Sequence, residues 1–260
     1  MPLSRPVWLL AELVCGGCSL MVGEDLTGGG NNGPGTAGAD GGPSGSSSGG
    51  NGSSDGGSTP SKPASPLPTD GRLITFEDGE LVNASTGADS IVGPALLTAG
   101  AGALSGKYSL GVDSPKSYAV VAFPATADLF LSFYVRLNRM TDGRLLGIGF
   151  DRPDSKMEVK IEGDQIVGWF EAAGTTATFG KASFASGTAM RVGVHYHAGA
   201  TQGEIDLLTS TGGGPLERAG GTAGSALRAT VSSLEIGATD MVTVDGVFDD
   251  IRISTSSFGD

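Results

Sequence analysis

Cysteine is scarce in this chain and is confined to one end of it. Both cysteines, Cys15 and Cys18, lie within the first eighteen residues. The rest of the chain can therefore form no disulfide of its own, no cysteine-ligated metal site and no cysteine nucleophile. A region of that length can nevertheless bury a substantial apolar core without cross-links.

Basic residues and long apolar runs are also few. The 16 Lys and Arg residues against 28 Asp and Glu residues give a formal net charge of -12. This charge would repel phosphates and no basic stripe offsets it, so nucleic acid is not expected as a partner. The apolar run near the start, Val7–Ala11, is too short to span a bilayer as a permanent helix.

Residues 1–18 resemble the signal segment of a bacterial lipoprotein. Arg5 precedes the apolar run, and Gly16–Ser19 is similar to a lipobox. The resemblance implies that Cys18 is lipidated and that the protein is an outer-membrane or cell-surface lipoprotein. It would then touch the membrane through its lipid anchor only. A plain secretory signal with two incidental cysteines, or a misassigned start codon, is the alternative.

Residues 19–70 form a segment dominated by glycine, serine and proline. It has too few aliphatic side chains to offset the entropy of ordering, so we expect a disordered linker. Its end, Pro60–Pro68, is rich in proline and should be stiffer than the rest. A low-complexity segment that associates with itself is the weaker alternative, because aromatic residues are missing from Glu24–Asp70.

From Gly71 onward, short apolar segments alternate with a period of two between glycine-rich turns. The clearest of them runs from Asp128 to Asn138, with no helical period anywhere nearby. One face is apolar (Leu129, Leu131, Phe133, Val135, Leu137) and the other is mixed (Phe130, Ser132, Tyr134, Arg136, Asn138). About ten to twelve such strands predict that residues 71–260 form an all-β, two-sheet antiparallel β-sandwich of the jelly-roll type.

A hairpin is predicted between Lys156 and Glu171, around the two-residue turn Gly163-Asp164. This turn sets Glu158 opposite Trp169. Trp169 and Glu171 then lie on the polar face of the hairpin, away from the core. An exposed Trp flanked by carboxylates is the most suggestive single feature of the chain, because an aromatic face can stack on a sugar ring.

The last strand, Gly246–Ser254, is predicted from its alternation and its β-branched residues. A strict period of two puts Val247, Asp249, Ile251 and Ile253 on the core-facing side. Asp249 then needs a partner, because burying a free carboxylate is costly.

The acidic pair that enters this Ile-x-Ile strand, together with Phe-Glu-Asp-Gly at 76–79, resembles the LamG and concanavalin A-like jelly-roll superfamily. The strand, polar turn and strand over Gly106–Val112 and Tyr118–Phe123 are a second point of resemblance. The resemblance implies that the first and last strands of the domain lie close together.

In laminarinase-type and lectin-like members of this superfamily a structural calcium often lies near that junction. The resemblance therefore implies Asp78 and Asp249 as Ca²⁺ ligands, with Glu77 and Asp250 as substitutes. The equal alternative is that these carboxylates accept hydrogen bonds from turn amides or pair with Arg252.

A glucanase motif of this superfamily, Glu-x-Asp-x-(x)-Glu, is only partly matched by Glu204-Ile205-Asp206. The third carboxylate is replaced, with Leu208 at one of its possible positions, so no residue is left to protonate a leaving group. Binding is therefore expected rather than catalysis, with a degenerate or unrecognised polysaccharide hydrolase or lyase as one alternative. A structural surface lipoprotein without a small ligand is the other.

The expected partner is a glycan or surface polymer. Aromatic side chains would stack on its sugar rings, and neighbouring polar groups would bind its hydroxyls. His195 is included for its hydrogen-bonding ring, and a metal pair with His197 is the alternative interpretation. The candidate ligand-binding residues are Phe130, Tyr134, Arg136, Trp169, Glu171 and His195.

Overall fold

The computed structural model describes residues 71–259. The predicted signal segment at 1–18, with Cys18, and the predicted linker at 19–70 lie outside the described residues. Within the described range, no helix has the length and apolar character needed to cross a membrane.

Short strands make up nearly all of the regular structure of residues 71–259, which also contain one 3-10 helix, Gly100–Gly102. The fifteen strands are β1 (Arg72–Ile74), β2 (Ser90–Val92), β3 (Leu96–Ala99), β4 (Tyr108–Val112), β5 (Ser117–Thr126), β6 (Asp128–Leu137), β7 (Gly143–Phe150), β8 (Ser155–Glu162), β9 (Gln165–Ala172), β10 (Thr175–Ser183), β11 (Ala189–His197), β12 (Gly203–Thr211), β13 (Glu217–Gly224), β14 (Val231–Ala238) and β15 (Gly246–Ser254).

These strands form two antiparallel sheets. Sheet A has the order β13-β12-β11-β6-β15-β4-β3, with β1 also paired to β15. Sheet B has the order β10-β9-β8-β7-β14-β5-β2. The first and last strands are hydrogen-bonded neighbours, with Ile74 opposite Ile251. The predicted two-sheet β-sandwich is confirmed, and so is the proximity of its first and last strands.

The core lies between the sheets and is built from one face of each long strand. Sheet A contributes the apolar face of β6, whose side chains are all fully buried (Leu129, Leu131, Phe133, Val135, Leu137). Sheet B contributes residues such as Val159 and Ile236, also fully buried. Because strand side chains alternate between faces, the period of two predicted the orientation of β6 correctly.

The predicted hairpin is confirmed in its register. β8 and β9 pair around Gly163-Asp164, with Glu158 opposite Trp169. On the core side Met157 lies opposite Phe170, and both are buried.

The alternation of apolar residues does not predict three of the strands, β2, β3 and β13. The strand β13 reads Glu-Arg-Ala-Gly-Gly-Thr-Ala-Gly, in which no large apolar residue marks an alternation. It forms because it pairs with β12 along most of that strand's length. Backbone pairing with a neighbour supplies the stabilisation that the side chains of β13 do not.

The predicted facing of β15 is wrong in its first half. A β-bulge between Asp249 and Arg252 interrupts the pairing with β6, and Asp250 takes a positive φ of 46°. The bulge inserts one residue and so shifts the alternation. Phe248 therefore enters the core, fully buried, while Asp249 lies opposite Tyr134 on the outer side of sheet A.

Asp78 does not point into the core either. The strand β1 ends at Ile74, and Phe76 has a positive φ of 59° that breaks the alternation. Asp78 is exposed in the turn that follows. Neither of the two predicted Ca²⁺ ligands, Asp78 and Asp249, therefore points into the core.

Candidate functional site

The six predicted ligand-binding residues do not share one surface. Phe130, Tyr134 and Arg136 lie on β6, and His195 lies on the neighbouring β11, all in sheet A. The other two, Trp169 and Glu171, lie on β9 in sheet B. The outer faces of two sheets in a sandwich point in opposite directions. One small glycan therefore cannot contact all six.

On the outer face of sheet A, Phe130 and His195 are register neighbours whose rings stack with centroids 4.3 Å apart. Phe258, from the segment after β15, packs edge-on against Phe130 with a centroid separation of 5.3 Å. Two sides of the Phe130 ring are therefore covered by the protein's own aromatic rings, and a sugar has little access to it.

Tyr134 and Arg136 also have intramolecular partners. The guanidinium of Arg191 lies 6.0 Å from the centre of the Tyr134 ring. Nη2 of Arg136 donates a hydrogen bond of 2.6 Å to the carbonyl of Gly102. A depression of about 300 Å³ beside Arg136 is lined without any aromatic side chain, by residues that include Asn138. This part of sheet A offers polar groups but no stacking platform.

Asp249 is buried against β4 and the segment that precedes it. Its Oδ2 accepts hydrogen bonds from the amide of Ser105 (3.1 Å) and the hydroxyl of Ser109 (2.6 Å). Its Oδ1 accepts one from the amide of Asp250 (2.8 Å). Burial raises the pKa of Asp249 to about 6, although the hydrogen bond from Ser109 acts in the opposite direction.

The donor set around the two predicted Ca²⁺ ligands does not fit a cation. Both oxygens of Asp249 face N–H and O–H donors, whereas calcium needs converging oxygen acceptors. Asp78 accepts hydrogen bonds from Thr86, Asn83 and the amide of Glu80. Among residues 71–259 no group of three or more His, Cys, Asp or Glu side chains is placed to hold a metal ion. The geometry favours the alternative, hydrogen bonding to turn amides.

The partial glucanase motif lies on β12 in sheet A. Oδ1 of Asp206 is 2.7 Å from Nη2 of Arg218, and Oδ2 is 3.9 Å from Nδ1 of His195. Nδ1 of His197 instead contacts Asp128, at 2.5 Å. Asp206 is thus held by a neighbouring arginine, and the two histidines have separate acidic partners rather than a common ligand.

Sheet B presents a different surface. A cross-strand row on its outer face, from β14 to β10, runs Glu235, Gly147, Glu158, Trp169, Thr178. Trp169 is partly exposed, and Nζ of Lys160 lies 5.6 Å from its ring centre. An aromatic ring and two carboxylates are therefore aligned across four adjacent strands, about 4.8 Å apart from strand to strand.

Two glycines of β7 open a depression in this row, which we call the glycine trough. Gly147 and Gly149 form its floor, and a Cβ at Gly147 would lie 3.2 Å from Oε2 of Glu235. The trough has a volume of about 180 Å³. Its walls are built by Arg144, Lys156, Glu158, Ser233 and Glu235. Any larger residue at 147 would fill the space between the two carboxylates.

Arg144 is held in place at the edge of the glycine trough. Its Nε and Nη2 donate to the hydroxyl and the carbonyl of Thr239. Its Nη1 donates to Oε1 of Glu158 at 2.7 Å. The exposed fraction is 27% for the Arg144 side chain and 20% for that of Glu158. A guanidinium fixed by three bonds loses little side-chain entropy when a ligand binds, so this pair is pre-organised.

Tyr118 lies on β5, the strand that pairs with β14 on the side away from β7. Partial burial raises the pKa of its phenol, and the negative charge of Glu235 raises it further. The charge of Glu235 therefore raises the pKa of Tyr118 on β5, and its side chain borders Gly147 on β7.

Sequence reasoning found Trp169 and Glu171 but missed the rest of this surface. The available signal was the pair Gly147 and Gly149, two residues apart in Leu145–Phe150, a segment whose apolar residues predict a strand. Glycines at i and i+2 leave one side of a strand without side chains. The neighbours of that gap, Glu158 and Glu235, are set by strand order, which the sequence did not reveal.

No protein-family model matches the chain, and no curated protein matches it significantly. Among solved structures, the botulinum neurotoxin serotype D binding domain is similar to it with a TM-score of 0.51 and 10% identity, over 72% of this chain and 47% of that one. The chain thus spans about half of that structure. At this identity the likeness shows the fold alone.

Two further solved structures are similar with lower TM-scores. Domain 4 of AbnA, a GH43 extracellular arabinanase from Geobacillus stearothermophilus, in complex with arabinotriose, has a TM-score of 0.47 and 12% identity over 71% of this chain and 92% of that one. The cellulose induced protein Cip1 has a TM-score of 0.48 and 14% identity, over 72% and 99%. The two-sheet arrangement and the likeness to the neurotoxin binding domain place the described domain in the class of jelly-roll-like β-sandwiches.

Proposed function

We propose that the protein is a non-catalytic carbohydrate-binding module that uses the outer face of sheet B. The observation that carries this proposal is the partly exposed Trp169 in line with the glycine trough and its ordered Arg144–Glu158 pair. A sugar ring has an apolar face that stacks on an indole, and its hydroxyls bind charged groups through strong hydrogen bonds. A sugar chain lying along the row would contact both features.

The size of the trough supports an extended ligand rather than an enclosed one. Pockets that enclose small molecules usually measure about 300–1,000 Å³, and this depression is smaller, at about 180 Å³. A polymer that crosses the outer face of sheet B and places one sugar unit in the trough would fit a depression of this size. Glu171, on the same strand and face as Trp169, lies within the surface that such a chain would cross.

The proposal extends to family and location. The pairing of β1 with β15 supports the assignment to the LamG and concanavalin A-like superfamily. Cys18 would carry the lipid, residues 19–70 would serve as the tether, and the module would be displayed at the outer membrane or cell surface.

Trp169→Ala in the full-length protein is expected to weaken glycan binding by at least about tenfold, since an interfacial Trp often contributes more than 1.4 kcal/mol. The measurement is a glycan array followed by calorimetry on the oligosaccharide that binds. Phe130→Ala is the matched control, because it removes an aromatic ring from the outer face of sheet A. Loss of binding in Phe130→Ala with full binding in Trp169→Ala would place the site on sheet A instead.

Lipidation has its own test. Metabolic labelling with a fatty acid in a bacterial host is expected to label the full-length protein and to move it to the membrane fraction. Cys18→Ser should abolish both results, whereas Cys15→Ser should retain them. If the Cys18→Ser variant still carried the label, lipidation of Cys18 would be refuted.

A further inference from the structure

The charges that line the glycine trough are balanced. Arg144 and Lys156 contribute two positive groups, and Glu158 and Glu235 contribute two negative groups. This contrasts with the chain as a whole, whose formal net charge is -12. A ligand of either sign would therefore meet a like charge on one side of the trough.

The trough has both hydrogen-bond donors and hydrogen-bond acceptors that are not used within the protein. Three N–H groups of Arg144 are used by Thr239 and Glu158, and a guanidinium has five. Among the described residues Glu158 accepts a hydrogen bond through Oε1 only, from Arg144, so Oε2 is available to a ligand. The trough therefore offers donors and acceptors side by side.

Glu235 is the second carboxylate that lines the glycine trough. Within residues 71–259 its carboxylate accepts no hydrogen bond and has no cationic partner within 4.0 Å. It borders Gly147, which provides the space for an approaching donor. A ligand carboxylate placed there would be repelled by Glu235, whereas a ligand ammonium group would lie in a small trough that Arg144 and Lys156 also line.

We propose that the glycine trough recognises an uncharged sugar unit with two neighbouring free hydroxyls. One hydroxyl would donate to Glu235, and the other would donate to Oε2 of Glu158 while accepting from Arg144. Hydroxyls fit because each of them both donates and accepts. This inference rests on the proposed function and narrows its ligand to neutral glycans, as opposed to uronic-acid or amino-sugar polymers.

The test is an array that carries matched gluco- and galacto-oligosaccharides, their uronic-acid counterparts and their 2-amino counterparts, probed with the full-length protein. We expect binding to a neutral member, with an affinity that changes little between low and high salt. Glu235→Gln should weaken that binding about tenfold, because a hydrogen bond to a charged acceptor is replaced by one to an amide. Glu204→Gln, which changes an exposed carboxylate on β12 in sheet A, should bind as the wild type does.

Each contrary outcome has a distinct meaning. Preferred binding of a uronic-acid or amino member that still depends on Trp169 would overturn this inference and leave the proposed function in place. Unchanged neutral binding in Glu235→Gln would also overturn it. Binding to no member of the array would count against the proposed function and this inference together.

Discussion

Phe248→Ala is expected to lower the free energy of unfolding by about 3–5 kcal/mol, the usual cost of removing a buried phenylalanine. Phe248 is fully buried, and its ring centre lies 6.1 Å from that of Phe133 across the core face of sheet A. Chemical denaturation of the purified protein, followed by tryptophan fluorescence, measures the change.

Val247→Ala is the matched control for this prediction. A strict alternation over β15 would put Val247 in the core and Phe248 outside it, whereas the bulge does the reverse. Val247 lines the depression on the outer side of sheet A, so its truncation should cost roughly 1–2 kcal/mol. A Val247→Ala cost equal to or above that of Phe248→Ala would contradict the bulge.

Asp249→Asn is expected to remove a pH dependence from the stability of the protein. The pKa of Asp249 is raised from 3.8 to about 6 by burial, so the folded protein holds this proton more tightly than the unfolded chain does. The contribution of protonated Asp249 to the free energy of unfolding is therefore complete below about pH 4, and it is lost as the pH rises to about 6. At 1.4 kcal/mol per pKa unit the loss is at most about 3 kcal/mol.

The measurement is the difference in unfolding free energy between wild type and Asp249→Asn at several pH values from 4 to 7.5. The difference cancels the titration of other groups, such as Asp78, whose pKa is lowered chiefly by its hydrogen bond from Thr86. We expect wild type to have its largest advantage near pH 4. Val247→Ala, which removes no titrating group, should differ from wild type by a constant amount. A constant difference for Asp249→Asn as well would refute a raised pKa.

Which of the candidate residues share a surface could not be predicted from the sequence, because that depends on strand order. The alternation in β6 identified Phe130, Tyr134 and Arg136 as outward-facing, and the turn Gly163-Asp164 did the same for Trp169. Neither pattern says which sheet a strand joins. Strand order assigns the two groups to opposite sides of the sandwich and places His195 beside Phe130.

A single inserted residue explains the error at Asp249. The alternation rule assumes an unbroken pairing, and the bulge at Asp250 reverses the facing of Val247 and Phe248. Both residues are apolar, so the composition of β15 is compatible with either facing. Pairing with β4 and β6 selects one of them, and Asp249 then accepts a hydrogen bond from Ser109 instead of pointing into the core.

The sequence by itself determined the class of fold, the faces of the regular strands and the hairpin that presents Trp169. These properties follow from local chemistry: the period of two, the β-branched residues and the conformations that a Gly-Asp turn allows. The tertiary structure alone decided which faces share a surface, that Asp249 is buried outside the core, and that Gly147 lies between Glu158 and Glu235. Those features join residues from strands that are distant in sequence. The hydrophobic period within one strand does not show which strands it pairs with.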